Sequence, residues 1–183
     1  NDLFENFFIR MLRGSGLRGL ISLDKKTKIK GVNILRPLLY QKKDDLIYIA
    51  KTVFNFYVND PSNINEKFQR IKVRSFIKNL EQTGLDQKKF MNTLQNLKYS
   101  NEVVNFYVER NIRKNSFISA NKDKAILSEN FFKNPHEVIF RGLSDILLLV
   151  SKRYYSVRGK KLDKIINEIE RKVSFKVTLG GCI

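Results

Sequence analysis

The sequence predicts an α/β protein of mainly helical content, and three observations carry that expectation. Apolar residues recur at intervals of three and four over most of the 183 residues, which is the period of an amphipathic helix. Only short stretches, at residues 19–35, within 115–131 and near the end of the chain at 173–181, read as strands bounded by glycine or charged turns. Around Gly84 the pattern restarts, which places a boundary at residues 81–86 and gives segments 1–82 and 83–183.

Taken in order, Leu3, Phe4, Phe7, Phe8, Met11 and Leu12 share one face of an opening helix, with no convincing cap beyond Asp2. Gly14 and Gly16 stop it. "GLISLD" and "KIKGVNIL" read as two strands around the basic turn Asp24 to Lys28, and Arg36 before Pro37 ends the second. Leu46, Ile49, Ala50, Val53, Phe54 and Tyr57 mark a second helix. "DPSN" then sets a rigid turn, and Asn63 with Glu66 three residues on makes a capping-box start for a third helix. Lys67, Arg70, Arg74 and Lys78 stack on one face of it.

Beyond Gly84, residues 90–97 and 103–108 read as a helical pair, and "NSFISANKDKAILSENF" as a short hairpin. In "NPHE", Asn134 is expected as the cap, with Pro135 at the first helical position. Two helices follow, Val138 to Val150 and "GKKLDKIINEIERK", before "VSFKVTLGG" closes as a strand.

Composition narrows the function classes. Lys plus Arg is 35 against 18 acids, a net charge of +17, which calls for a polyanionic partner. Part of the lysine excess fits the bias of an AT-rich genome; the placed arginines do not. Cys182 and His136 are the single cysteine and histidine, which excludes a structural zinc site and an internal disulfide and fits a reducing, cytoplasmic compartment. No apolar run reaches membrane-spanning length, so no membrane partner is expected.

Four features could carry chemistry. "RGSG" offers a turning backbone and guanidinium groups to an anion, or is simply a helix stop. The stripe Arg70–Arg74 is either a solvated face or a second source of positive charge. Asp2 and Glu5, three apart, put two carboxylates on one helix flank, where they could hold a cation or an amine or only decorate the surface. Tyr154 and Tyr155 between Arg153 and Arg158 suit base stacking with phosphate contacts.

Taken together and in order, "NDLFENFFIRMLRGSGLRGL", "ILRPLLY", "NDPSN" and "FQRIKVR" resemble the tRNA(Ile)-lysidine synthetase family, and "PHEVIFRGLSDIL", "YYSVRGKKL" and "TLGGC" look like the middle domain of its bacterial members. The resemblance covers nearly the whole chain. It implies the C-terminal part of a Rossmann-like PP-loop domain (adenine nucleotide alpha hydrolase-like) at 1–82, followed by a helical tRNA-binding domain at 83–183 that ends in a short strand. It also implies ATP-dependent conversion of the wobble cytidine of tRNA(Ile) to lysidine. In that reaction ATP adenylates the cytidine C2 oxygen and free lysine displaces AMP. ATP, Mg²⁺, free lysine and tRNA(Ile) are the implied cofactor and partners, and a homodimer is left open.

By the same resemblance Asp2 and Glu5 match the acids that hold lysine. Arg13, Arg70 and Arg74 match catalytic positions, and Gly14, Ser15, Gly16, Arg36, Asp60, Ser62 and Asn63 match nucleotide-binding ones. Contacts to tRNA fall to Arg141, Tyr155, Arg158, Lys160 and Lys161, and no metal ligand is assigned. The chain departs from the family pattern at Asn1-Asp2, where paired aspartates are usual, at Leu3 and Asn6, and at Ile71, where asparagine is usual. The family's SGGxDS loop is expected upstream of Asn1, so this chain by itself is expected to be inactive. A different class, a non-catalytic basic RNA-binding module in which the turn and the acid pair are only structural, is the alternative.

Overall fold

The computed structural model describes residues 2–29, 32–58, 69–171 and 176–183. Its elements run α1 (Asp2–Leu12), α2 (Leu17–Leu20), β1 (Lys26–Ile29), β2 (Val32–Leu35), α3 (Lys43–Val53), α4 (Gln69–Gln82) and α5 (Gln87–Asn115). Then follow β3 (Ser116–Ile118), β4 (Ala125–Leu127), a 3₁₀ turn (Glu129–Lys133), α6 (His136–Ser151) and α7 (Gly159–Glu170). Helix predominates, as the periodicity requires. The strands form two separate antiparallel hairpins, β1 with β2 and β3 with β4. Contacts divide the chain into two compact units, Asn1–Tyr99 and Ser100–Ile183. That division falls inside α5, whereas the seam expected at 82/83 lies at the end of α4.

The first unit is built on α1. Its apolar stripe, Leu3, Phe4, Phe8 and Ile9, is buried with Leu39, with Val73 and Ile77 of α4, and with Phe90 and Leu94 of α5. Phe4 stacks on Phe90 at 3.9 Å between ring centroids, and Phe7 meets the same ring edge-on at 5.3 Å. The edge-on pair has the T-shaped geometry that aromatic quadrupoles favour.

The end of α1 is a Schellman cap. The Ser15 N–H donates to Arg10 O at 3.0 Å and the Gly14 N–H to Met11 O at 2.9 Å. Gly14 takes φ +68°, a left-handed conformation that costs a residue with a Cβ about 1 kcal/mol or more.

Several expectations are corrected here. "GLISLD" is not a strand: Gly19 and Leu20 N–H groups donate back to Gly16 O, making the single helical turn α2. The hairpin instead lies wholly within residues 26–35, with Thr27 opposite Ile34. A short apolar run is ambiguous between helix and strand by period alone. The helical pair is one helix of 29 residues, since no glycine or proline interrupts Gln87–Asn115 and polar residues on the outer face need no break. The start of the third helix, including Lys67, lies outside the described residues.

The second unit packs α6 and α7 around Phe131, Ile139, Leu143, Ile146, Leu162, Ile166 and Leu179. The expected β3–β4 hairpin is present, with Phe117 opposite Ile126. Asn134 does not cap α6. Its side-chain amide donates to Asn111 Oδ1 at 3.0 Å and to Asn130 O at 3.0 Å, and Pro135 stands at the cap position without a side-chain bond. Residues 172–175 lie outside the described set. What remains of the expected closing strand is a tight turn in which Leu179 and Cys182 exchange backbone hydrogen bonds.

A candidate anion-binding cleft lined by arginines

In the first unit a cleft of about 690 Å³ opens beside α1, α4 and the segment around β2. Helix α1 contributes Asp2, Glu5, Asn6, Ile9 and Arg10, which follow one flank at intervals of one, three and four. Arg13 and Ser15 join from its cap, Arg36 and Leu39 from the residues after β2, and Gln69, Arg70, Ile71 and Arg74 from α4. Five arginines and two acids therefore share one concavity, a net positive site with an apolar floor.

Glu5, Arg10, Arg13, Arg36 and Arg74 are each placed by a specific contact. Arg74 donates from Nε to Glu5 Oε1 at 2.7 Å and from Nη2 to Glu5 Oε2 at 3.2 Å. This is a bidentate fork on a carboxylate whose residue is only 6% exposed, and such forks are strong charge-assisted pairs. Hydrogen bonding to Glu5 raises the guanidinium pKa against the opposing effect of burial, with the charges of Glu5 and Asp2 adding to it. Arg10 Nε donates to Asn6 Oδ1 at 3.3 Å, one helical turn back. Arg13 Nη2 reaches Gln69 Oε1 at 3.4 Å.

Arg36 is oriented by the hairpin. Its Nη1 donates to Thr27 Oγ1 at 2.8 Å and to Asp24 O at 3.2 Å. Asp24 is anchored in turn, accepting from Lys98 Nζ at 2.7 Å and from Tyr40 Oη at 3.2 Å. Burial pushes the Asp24 carboxyl up, but the bonds from Lys98 and the Lys25 amide outweigh it and hold it below the usual carboxylate range. Burial and the neighbouring Asp24 charge raise the Tyr40 phenol.

Of the residues the sequence points to, Asp2, Glu5, Arg13, Ser15, Arg36, Arg70 and Arg74 are brought together in this cleft. Gly14 and Gly16 flank it without lining it. The Gly14 and Ser15 N–H groups are spent on the helix cap, so the anion cradle expected of "RGSG" rests on side chains and not on those amides. Asp60, Ser62 and Asn63 lie outside the described residues. Arg10 and Gln69 were not anticipated; for Arg10 the signal was available, because it lies one turn before Arg13 on the flank that carries Asn6.

In the second unit Tyr155, Arg158, Lys160 and Lys161 are exposed at and before the start of α7, with Tyr155 at 88%. Arg141 is a correction. It is 3% exposed, and it donates to Glu137 at 2.6 Å, to Asn101 at 2.6 Å and to Asn105 at 3.0 Å. It lies on the buried face of α6, and its Nη2 is buried without a hydrogen-bond partner. Among the described residues no group of three or more His, Cys, Asp or Glu side chains could hold a metal ion. No helix among them is long and apolar enough to cross a membrane.

Residues 1–81 match the family model of a PP-loop domain. The whole chain is 28% identical to a protein named tRNA(Ile)-lysidine synthase from Wolbachia pipientis wMel, covering 42% of that protein, and 30% identical to one of that name from Orientia tsutsugamushi (strain Boryong), covering 43%. Over 79 residues, 43% of this chain and 25% of its relative, identity to a protein of the same name from Campylobacter jejuni (strain RM1221) is 37%. The chain thus spans less than half the length of the curated relatives that it matches from end to end. No solved structure matches significantly. Residues 1–81, within the unit that holds the cleft, thus match a PP-loop domain, and the full 183 residues are similar to proteins named tRNA(Ile)-lysidine synthase.

Proposed function

We propose that this chain takes part in ATP-dependent conversion of the wobble cytidine of tRNA(Ile) to lysidine with free lysine as the amine donor. The observation that carries the reading is the cleft itself, in which arginines from α1, α4 and the end of β2 surround an exposed carboxylate, Asp2. Arg10, Arg13, Arg36 and Arg70 suit a polyphosphate, since guanidinium groups pair with phosphate oxygens and stabilise charge that builds on a leaving pyrophosphate. Ser15 adds a hydroxyl donor at the cap, and Asp60, Ser62 and Asn63 are proposed to complete the nucleotide side. The donor set fits a triphosphate well. It does not fit a protein-held Mg²⁺, because both Glu5 oxygens are committed to Arg74, so no step here is routed through the metal.

In this reading Asp2 takes the ammonium of lysine, residues 1–82 form part of the catalytic PP-loop domain, and residues 83–183 face the tRNA. Tyr155, Arg158, Lys160 and Lys161 contribute stacking and phosphate contacts, and the protein works in the cytoplasm, where tRNA and free lysine meet. The SGGxDS motif does not occur in the 183 residues, so this chain alone is proposed to be inactive. The test is incorporation of labelled lysine into tRNA(Ile). The complete enzyme should incorporate it only with ATP and only into tRNA with a wobble cytidine, and residues 1–183 alone should not. A complete enzyme that leaves lysine unincorporated refutes the reading; a fully active 1–183 chain refutes the proposed placement of the nucleotide loop.

A further inference from the structure

Arg36 lines the cleft, yet the groups that hold its guanidinium do not. Its Nη1 carries two hydrogens and meets two acceptors, Thr27 Oγ1 at 2.8 Å and Asp24 O at 3.2 Å. The main chain is pinned to the same stretch, since the Arg36 N–H donates to Lys25 O at 2.8 Å. Nε and Nη2 have no hydrogen-bond partner among the described residues. That edge carries two near-parallel N–H groups, the fork that takes two oxygens of a carboxylate or a phosphate. Arg74 shows the fork in use, because its Nε and Nη2 grip Glu5.

The two acceptors on Nη1 are themselves held. Thr27 stands in β1 opposite Ile34 of β2. The Asp24 carboxylate accepts from Lys98 Nζ of α5 at 2.7 Å and from Tyr40 Oη at 3.2 Å, which keeps the turn that bears its carbonyl in place. Both acceptors are also neutral, a hydroxyl and a peptide carbonyl, and the nearby Asp24 charge is paired with Lys98. Arg36 is therefore oriented without being neutralised, whereas the charge of Arg74 is met by Glu5. We propose that Thr27 is the positioning residue for Arg36, braced by Asp24 and Lys98, and that it aims the Nε–Nη2 edge at oxygens of the polyphosphate. This rests on the polyphosphate part of the reading given above. A long side chain loses rotamer freedom when it binds, and one already held has less to lose.

The test is calorimetric titration of inorganic tripolyphosphate into the complete enzyme at one salt concentration, with ATP as competitor and the melting midpoint of each variant measured alongside. Thr27→Val removes the hydroxyl but keeps the β-branched shape that suits a strand, and it should weaken binding about three- to tenfold. Thr27→Ser restores an acceptor and should bind within about twofold of the wild type. Arg36→Met should weaken binding at least as much as Thr27→Val. Adding Thr27→Val to Arg36→Met should then cost nothing further, because the residue through which Thr27 acts is gone. Asp24→Asn should weaken binding less than Thr27→Val, since it loosens the brace and leaves the carbonyl. A Thr27→Val enzyme that binds as tightly as the wild type overturns the proposal. So does a loss from Thr27→Val that is the same size with and without Arg36, which would mark Thr27 as merely structural. A wild type that takes up no tripolyphosphate, or an Arg36→Met enzyme that binds it undiminished, removes the polyphosphate reading and the proposal with it, before Thr27 is touched.

Discussion

Arg13 donates from Nη2 to Gln69 Oε1 at 3.4 Å in an exposed contact, too long to contribute much to the fold. Its backbone belongs to the cap of α1 and its side chain to the cleft, so the two roles of "RGSG" can be separated by substitution. In the complete enzyme Arg13→Ala should lower kcat/KM by about two to three powers of ten while costing less than about 0.5 kcal/mol of stability. Arg13→Lys should recover only part of the activity. Melting and lysidine formation measured on the same protein check both; full activity in Arg13→Ala would reduce the motif to a turn. At this scale the sequence was informative about which residues gather and silent about what they bind first. Asp2, Glu5, Arg13, Arg36, Arg70 and Arg74 were all legible as candidates, but Glu5 and Arg74 are 69 residues apart and no local spacing reveals that they pair. Arg141 misled for a related reason. The resemblance alone put it among the tRNA contacts, while its burial depends on Asn101 and Asn105 forty and thirty-six residues away.

Elements built by a strong local period were readable, and those that depend on a distant partner were not. Helices α1, α6 and α7 follow from their apolar stripes, whereas residues 19–24 read as a strand although Gly19 and Leu20 belong to the single turn α2, because so short a run gives no period to count. Helix α3 shows the converse. Its apolar face was legible, yet none of its residues is buried, and Tyr48 and Val53 are 69% and 67% exposed. The segment before β1 is tied to α5 through Asp24 and Lys98, whose nitrogen and oxygen lie 2.7 Å apart, and this makes its stability pH-dependent. The folded Asp24 carboxyl sits below its ordinary value, so its contribution is fully present above the usual range near pH 3.9 and is lost as pH falls through the depressed value. Asp24→Asn should therefore destabilise the protein by about 0.5–1 kcal/mol at pH 7, discounted for partial exposure, and by progressively less below about pH 4. Denaturant melts at pH 7 and pH 3 give the comparison, and an equal loss at both would show that charge is not the cause. Helix α6 offers a sharper test of packing. A Cβ at Gly142 would stand 3.0 Å from Phe131 Cζ, and Phe131 is 0% exposed, so any shift of its ring presses on the surrounding core. Gly142→Ala should cost about 1–3 kcal/mol from overpacking, seen as a lower melting midpoint.

The charge of the whole molecule, +17, was its most legible property, and the surface on which it acts was less so. Of the five residues assigned to tRNA, Tyr155, Arg158, Lys160 and Lys161 are exposed and Arg141 is not, which turns one global number into a comparison between sites. Lysine and arginine side chains that neutralise phosphates release condensed counterions, so binding of the 183-residue chain to tRNA should weaken steeply as salt rises. Each neutralised phosphate contributes about 0.7–0.9 of a unit to the log–log slope, depending on whether the RNA is single-stranded or duplex-like. Replacing Arg158, Lys160 and Lys161 together by alanine should reduce that slope by about two units, with little change in stability because all three are solvated. Arg141→Ala should behave in the opposite way. Its guanidinium holds Glu137, Asn101 and Asn105, so its loss should destabilise the second unit by about 3 kcal/mol or more. At a temperature where that variant is still folded, its salt slope should match the wild type. Tyr155→Ala should lower affinity about equally at every salt concentration, since stacking on a base releases no counterions. Titration of tRNA at three or more salt concentrations, with melting of each variant alongside, separates these effects. A slope unchanged by the triple substitution would move the RNA contact away from the start of α7, and a flat slope in the wild type would remove the polyanion as the reason for the charge.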